Sequence, residues 1–297
     1  MYKRILVPLD GSLLAEMVLP LVRTVAQSFK SSVELLTVIA PGSLYDRRTG
    51  KEHIFHEDLA RVAKTFQDAG IKATYNVVEG DPAERIIAAA DAEPDTLIAM
   101  STHGRSGLQR LVLGSVMDRV AHHALSSMLI VSPQAQGAAY PLDRLATAVV
   151  PLDGSPLAEQ ALPVARQLAA ALSLHLTLVR AVPLPVVYAD LQYAAAMGNY
   201  YEESIDASRD EALAYLERTA TAQRQAGIAN VATIASIGVP ATVIVDTANA
   251  LPAGITVMTS RGRSGAGRWL LGSVADRVIR TSDRPVLLVR PGQTKKA

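Results

Sequence analysis

Two aspartates, Asp10 and Asp153, lie within identical runs of Val-Pro-Leu-Asp-Gly-Ser, at 7–12 and 150–155. A carboxylate at the end of an apolar run can accept hydrogen bonds from a sugar hydroxyl or an exocyclic amino group. The local alternative is turn chemistry, with Asp or Ser capping the helix that follows. That alternative weakens because the same triplet recurs beside a second unusual segment.

The second segment is "GRSGLQRLVLGSVMDRV", Gly104 to Val120, repeated as "GRSGAGRWLLGSVADRV", Gly262 to Val278. Twelve of the seventeen positions are identical, and all three glycines of the first copy (Gly104, Gly107, Gly114) return as Gly262, Gly265 and Gly272. Glycine lets backbone N–H groups approach an anion closely and adopts the positive φ values that an anion nest needs. Gly114-Ser115 and Gly272-Ser273 each lead into a helical pattern, and a helix start presents unpaired N–H groups and partial positive charge. The Ser hydroxyl can serve a phosphate or a metal; equally, Ser115 with Asp118 and Ser273 with Asp276 fit a helix-capping pattern. Just upstream, His103 in one copy is Arg261 in the other. A guanidinium can grip phosphate with two parallel bonds, whereas neutral imidazole cannot.

Elements of a recurring kind must position these residues. "ILVPLDGSLLAEMVLP" from Ile5 returns as "AVVPLDGSPLAEQALP" from Ala148, an offset of 143, whereas "EGDPAERII" at Glu79 matches "IGVPATVIV" at Ile237, an offset of 158. The second half therefore carries 158 − 143 = 15 more residues between its second and third strands. Within the first half, the runs RILVPLD, SVELLTVIA, KATYNVVE, TLIAMST and SMLIVSP read as strands covered on both faces. Helical patterns separate them at about 13–29, 51–68, 82–91 and 115–125. This alternation predicts an α/β fold: two tandem doubly wound domains, 1–134 and 145–293, each a five-stranded parallel sheet flanked by helices, with a linker over 134–144. Pro20 and Pro163 fall at matching places in the first helix of each half and predict a kink or an offset start there. Ligands of such sheets bind beyond the carboxyl ends of the strands, where the strand order reverses. If strands one and four are neighbours, the Asp-Gly-Ser and glycine segments face one crevice.

Several function classes are disfavoured. The 297 residues carry 29 Lys and Arg against 28 Asp and Glu, which argues against a nucleic-acid surface. There is no cysteine, which removes thiolate chemistry and fits a reducing cytoplasm. Neither a secretory leader nor a run of apolar residues long enough to span a membrane is evident. The P-loop and dinucleotide fingerprints are absent, and Gly265-Ala266-Gly267 is the one G-x-G. His53 and His56 read as a solvated helix face, His122 and His123 as surface or rim residues, and Arg209 onward as an ordinary amphipathic helix. No motif supplies a base for Ser12 or Ser155. Asp10, Ser115 and His103 are the local candidates for phosphoryl chemistry, and nothing in their spacing commits them to it.

The combination of "VPLDGS", G-x-P-x-x-x-I (Gly80, Pro82, Ile86; Gly238, Pro240, Ile244) and the glycine loop resembles the universal stress protein family in its tandem two-domain form, over essentially the whole chain. The resemblance implies an adenine nucleotide, ATP or else ADP or AMP, with Mg²⁺ as an optional companion; the lack of a committed catalytic arrangement points to binding with no or only slow hydrolysis. The residues it implies in the first half are Pro8, Leu9, Asp10, Ser12, Val38, Ser101, His103, Gly104, Arg105, Gly107, Gly114, Ser115 and Val116. In the second half they are Pro151, Leu152, Asp153, Ser155, Ala181, Thr259, Arg261, Gly262, Arg263, Gly265, Gly272, Ser273 and Val274. Val38 and Ala181 would meet the adenine through their backbone. The family loop is G-x-x-G-x9-G-[ST], and its leading Gly is Ser101 here and Thr259 in the second half. By the same analogy the halves pack as a pseudo-dimer through their last strands, and whole chains form homodimers. The alternative is a regulatory interaction module of the same fold that has lost its nucleotide.

Overall fold

The computed structural model describes residues 2–42, 53–102, 113–132, 145–183, 198–262 and 271–290, with side chains excluded at 198–202. The first half contains β1 (Arg4–Pro8), α1 (Leu13–Glu16), α2 (Leu19–Phe29), β2 (Ser32–Ile39), α3 (His53–Asp68), β3 (Ala73–Glu79), α4 (Pro82–Asp91), β4 (Thr96–Ser101), α5 (Ser115–His123) and β5 (Ser127–Val131). The second repeats the pattern with β6 (Thr147–Pro151), α6 (Pro156–Glu159), α7 (Ala161–Leu172), β7 (His175–Val182), α8 (Gly198–Gln225), β8 (Val231–Ile237), α9 (Pro240–Ala250), β9 (Gly254–Thr259), α10 (Ser273–Thr281) and β10 (Val286–Val289). The linker proposed over 134–144 lies outside the described residues.

All ten strands form one sheet in the order β3-β2-β1-β4-β5-β10-β9-β6-β7-β8. Pairing is parallel within each half and antiparallel where β5 meets β10, with Leu287 opposite Leu129. The strands are near-continuous apolar runs because helices cover both faces. Ile5 and Val7 turn into a core shared with α2, α3, α7 and α8, while Leu6 between them packs with α4, α5, α9 and α10. Burying side chains such as Leu21, Val22 and Val25 of α2 contributes about 1.5–3 kcal/mol each. The outermost strands β3 and β8 are the least covered.

The first helix of each half breaks as its proline predicts. Pro20 lies in the first turn of α2, where its missing N–H costs no helical bond, and the chain turns at Met17 and Val18 to make a separate α1. α6 and α7 divide in the same way at Gln160, just before Pro163. The extra residues of the second half lie around α8, whose 28 residues contrast with the 16 of α3.

Candidate functional site

β1 pairs with both β2 and β4, and β6 with both β7 and β9, so the chain reverses its lateral direction beside each first strand. The ends of these strands therefore meet the start of α5 or α10 in a crevice at the carboxyl edge of the sheet. A cavity of about 300 Å³ fills this crevice in the first half. Its walls include Pro8, Leu9, Asp10, Val38, Ser101, Gly114, Ser115 and Val116. The matching cavity in the second half is about 530 Å³ and is walled by Pro151, Leu152, Asp153, Ala181, Thr259, Arg261, Gly262, Gly272, Ser273 and Val274.

The aspartates are held by their own turns. Asp10 Oδ1 accepts from the Ser12 N–H at 3.0 Å and from the Ser12 hydroxyl at 2.6 Å; Asp153 Oδ1 accepts from the Ser155 N–H at 2.9 Å. Ser12 Oγ and Ser155 Oγ in turn accept from Ala15 and Ala158 N–H, capping α1 and α6. Ser12 and Ser155 are not among the cavity walls; they cap α1 and α6 and hold the neighbouring aspartate. Turn and site readings of Asp-Gly-Ser thus coincide.

For the glycine-serine pairs, one of the two readings fails. The caps of α5 and α10 are Gly114 and Gly272, and Ser115 and Ser273 are the first helical residues, so the Ser-x-x-Asp capping pattern does not form. No side chain caps either helix. The cap N–H groups donate back to the chain, Gly114 to Thr102 O at 2.9 Å and Gly272 to Ser260 O at 2.8 Å, clasping the base of each loop. A Cβ on Gly272 would stand 3.1 Å from that Ser260 oxygen, so close that the clasp would have to give by a few tenths of an ångström. The next three residues, Ser115 to Met117 and Ser273 to Ala275, carry helix-terminal N–H groups, and they wall the cavities. Asp118 and Asp276 are turned to other work: Arg280 Nε lies 2.9 Å from Asp276 Oδ1, and its Nη2 is 2.6 Å from Asp118 Oδ1 in the other half.

At the leading-glycine position, Thr259 is 5% exposed and its hydroxyl donates to Arg261 O at 2.6 Å. It folds into its own turn and neither reaches outward as a donor nor blocks the cavity. Ser101 is likewise buried at 7% and walls the first cavity. His103, Gly104, Arg105, Gly107, Arg263 and Gly265 lie outside the described residues.

Sequence reasoning missed several walls. Pro82 and Ile86 line the first cavity, Pro240 and Ile244 the second, so the G-x-P-x-x-x-I motif belongs to the site. Its glycines adopt φ +146 and +149, which only glycine holds without strain, and this delivers each proline to the first turn of α4 or α9. Met100 and Met258 also contribute. Arg180, Ser208 and Glu211 wall the second cavity alone, from β7 and α8. The repeat alignment could have flagged Arg180, which stands where the first half has Thr37.

The histidines behave as expected: His53 and His56 are exposed on α3, and His123 is exposed at the end of α5 with His122 half-buried. Among the described residues, no three acidic or histidine side chains form a metal cluster, and no helix is long and apolar enough to cross a membrane.

Comparison with known proteins agrees with this architecture. The family model described as "Universal stress protein family" matches residues 1–132 and again 146–290. Universal stress protein MJ0531 of Methanocaldococcus jannaschii is 32% identical over 142 residues, covering 44% of this chain and 82% of that protein. Universal stress protein MJ0577 of the same organism is 28% identical over 159 residues, covering 44% and 95%. Among solved structures, a universal stress protein from Archaeoglobus fulgidus DSM 4304 superposes with a TM-score of 0.69 at 23% identity, over 98% of this chain and 100% of that one. With both halves matched, this chain belongs to the universal stress protein family.

Proposed function

We propose that this protein binds an adenine nucleotide, ATP or else ADP or AMP, in each half, and acts in the stress response as a binding protein with no or only slow hydrolysis. One observation carries the reading: in both halves a turn-held aspartate and a helix start with no side-chain cap wall the same cavity. The carboxylate suits hydroxyl and amino donors. The helix start suits phosphate oxygens, each favourable contact contributing about 0.3–1 kcal/mol. Val38 and Ala181, at the ends of β2 and β7, offer backbone groups to the flat base between them and the apolar walls of Ile86 or Ile244.

The donor set fits Mg²⁺ only as a companion of the phosphates. Ser115 and Ser273 supply hard hydroxyl oxygens, and the first cavity's described walls hold a single carboxylate, Asp10. That carboxylate is engaged by Ser12, which favours a binding role over that of a general base. The antiparallel join of β5 and β10 supports treating the halves as a built-in pair.

The test is to denature freshly purified protein, identify any released small molecule by mass spectrometry, and titrate the emptied protein with ATP, ADP and AMP by calorimetry. Release of an adenine nucleotide, or saturable heat, supports the reading. No nucleotide and no heat at millimolar ligand overturn it in favour of an interaction module.

A further inference from the structure

The two cavities differ in charge: Arg180 and Arg261 are cations of the second cavity that the described walls of the first lack. Carbon Cζ of Arg180 and both terminal nitrogens lie 3.7 Å from the place of a Cβ on Gly154, and Cζ lies 5.1 Å over the centre of the Tyr215 ring. Tyr215 is itself fixed by donating to Glu159 Oε1 at 2.8 Å. Stacked over Tyr215, the Arg180 guanidinium keeps its N–H groups in its own plane, where they match the oxygens of a carboxylate or phosphate. The side chain is 15% exposed and walls the cavity. Among the described residues its ion-pair partner is Glu211 at 3.9 Å, a carboxylate 77% exposed and therefore a weak competitor for that plane.

The first half has no such group. Thr37 occupies the matching position, is 2% exposed and donates to Leu9 O at 2.8 Å. Among the described residues, Asp10 is the one charged wall of the first cavity, whereas the second has Asp153, Glu211, Arg180 and Arg261. The glycine loops carry matched basic residues, Arg105 with Arg263 and Arg110 with Arg268, so they do not offset this difference. The second cavity is also the larger, about 530 against 300 Å³.

We propose that Arg180 is an anion-contacting residue of the second cavity, and that this half takes the more highly charged ligand of the two, a nucleoside polyphosphate, while the first half takes a nucleotide of lower charge. The proposal rests on the nucleotide reading above and goes beyond it by making the halves unequal.

The experiment is calorimetric titration of the full chain with ATP and with AMP, for the native sequence and for Arg180→Thr, which installs the residue of the first half. The native protein should show one class of site with ATP affinity at least about tenfold above the other, the scale of one hydrogen bond between charged groups. Arg180→Thr should weaken that site for ATP by about tenfold or more while changing AMP affinity by less than about threefold. An unchanged ratio of ATP to AMP affinity overturns the proposal and leaves the nucleotide reading intact. Absence of any binding by the native protein overturns both. If Arg180→Thr does not fold by circular dichroism, Arg180→Gln, planar but uncharged, is read by the same ratio.

Discussion

The carboxylate of Asp153, at the end of β6, fills the space where a Cβ on Gly262, at the end of β9, would stand. Two segments that are 109 residues apart in sequence (262 − 153) are thus pressed together, and a glycine is what permits it. Gly262→Ala should displace Asp153 and remove nucleotide binding from the second half while sparing the first. Calorimetric stoichiometry checks this: it should fall from two ligands per chain to one, with full retention of both sites contradicting it.

The join between halves carries a charged bridge. Arg280 reaches Asp276 on its own helix and Asp118 on α5, with about a third of each side chain exposed. Arg280→Ala should cost about 1 kcal/mol, discounted for solvent screening. Urea unfolding of Arg280→Ala, Asp118→Ala and the double variant should give a coupling of about 0.5 kcal/mol or more. Strict additivity would mean the bridge contributes nothing.

Alkaline pH should probe the core near β1. Burial pushes the Tyr2 phenol up to about 12, with a hydrogen bond to Ser127 opposing the shift. The folded state thus keeps a proton that the unfolded chain releases near pH 10. This stabilisation is complete below pH 10 and is lost as pH rises toward 12, at up to about 1.4 kcal/mol per pH unit. Tyr2→Phe should flatten the fall in unfolding free energy between pH 10 and 12; an unchanged slope would contradict the assignment.

Much of this was legible in the sequence because repetition amplified it. The two offsets marked the longer helical region of the second half, and apolar runs without alternation marked strands covered on both faces. Pro20 and Pro163 foretold the split first helices, since proline at those positions suits only a first turn. Ser115 followed by Asp118 satisfies a local capping pattern, one of the two readings the sequence leaves open, yet the cap is Gly114. The structure instead pulls Gly114 back onto Thr102, a contact between segments twelve residues apart that no local rule contains. Arg180 was missed for a similar reason. In sequence it is one basic residue in a strand, and the role proposed for it depends on its packing by Gly154 and over the Tyr215 ring, contacts between distant segments.

The glycine cap itself sets the helix start against the cavity. A branched side chain at Gly272 would collide with Ser260 O, open the clasp and shift the first N–H groups of α10. Gly114 makes the same clasp to Thr102 O. The most direct test of the central claim, that these helix starts seat the phosphates of a nucleotide, is ATP titration of Gly114→Val, Gly272→Val and the double variant, each first shown to be folded. Each single variant should lose one site, and the double variant should lose both. Full ATP binding by the double variant would contradict the claim.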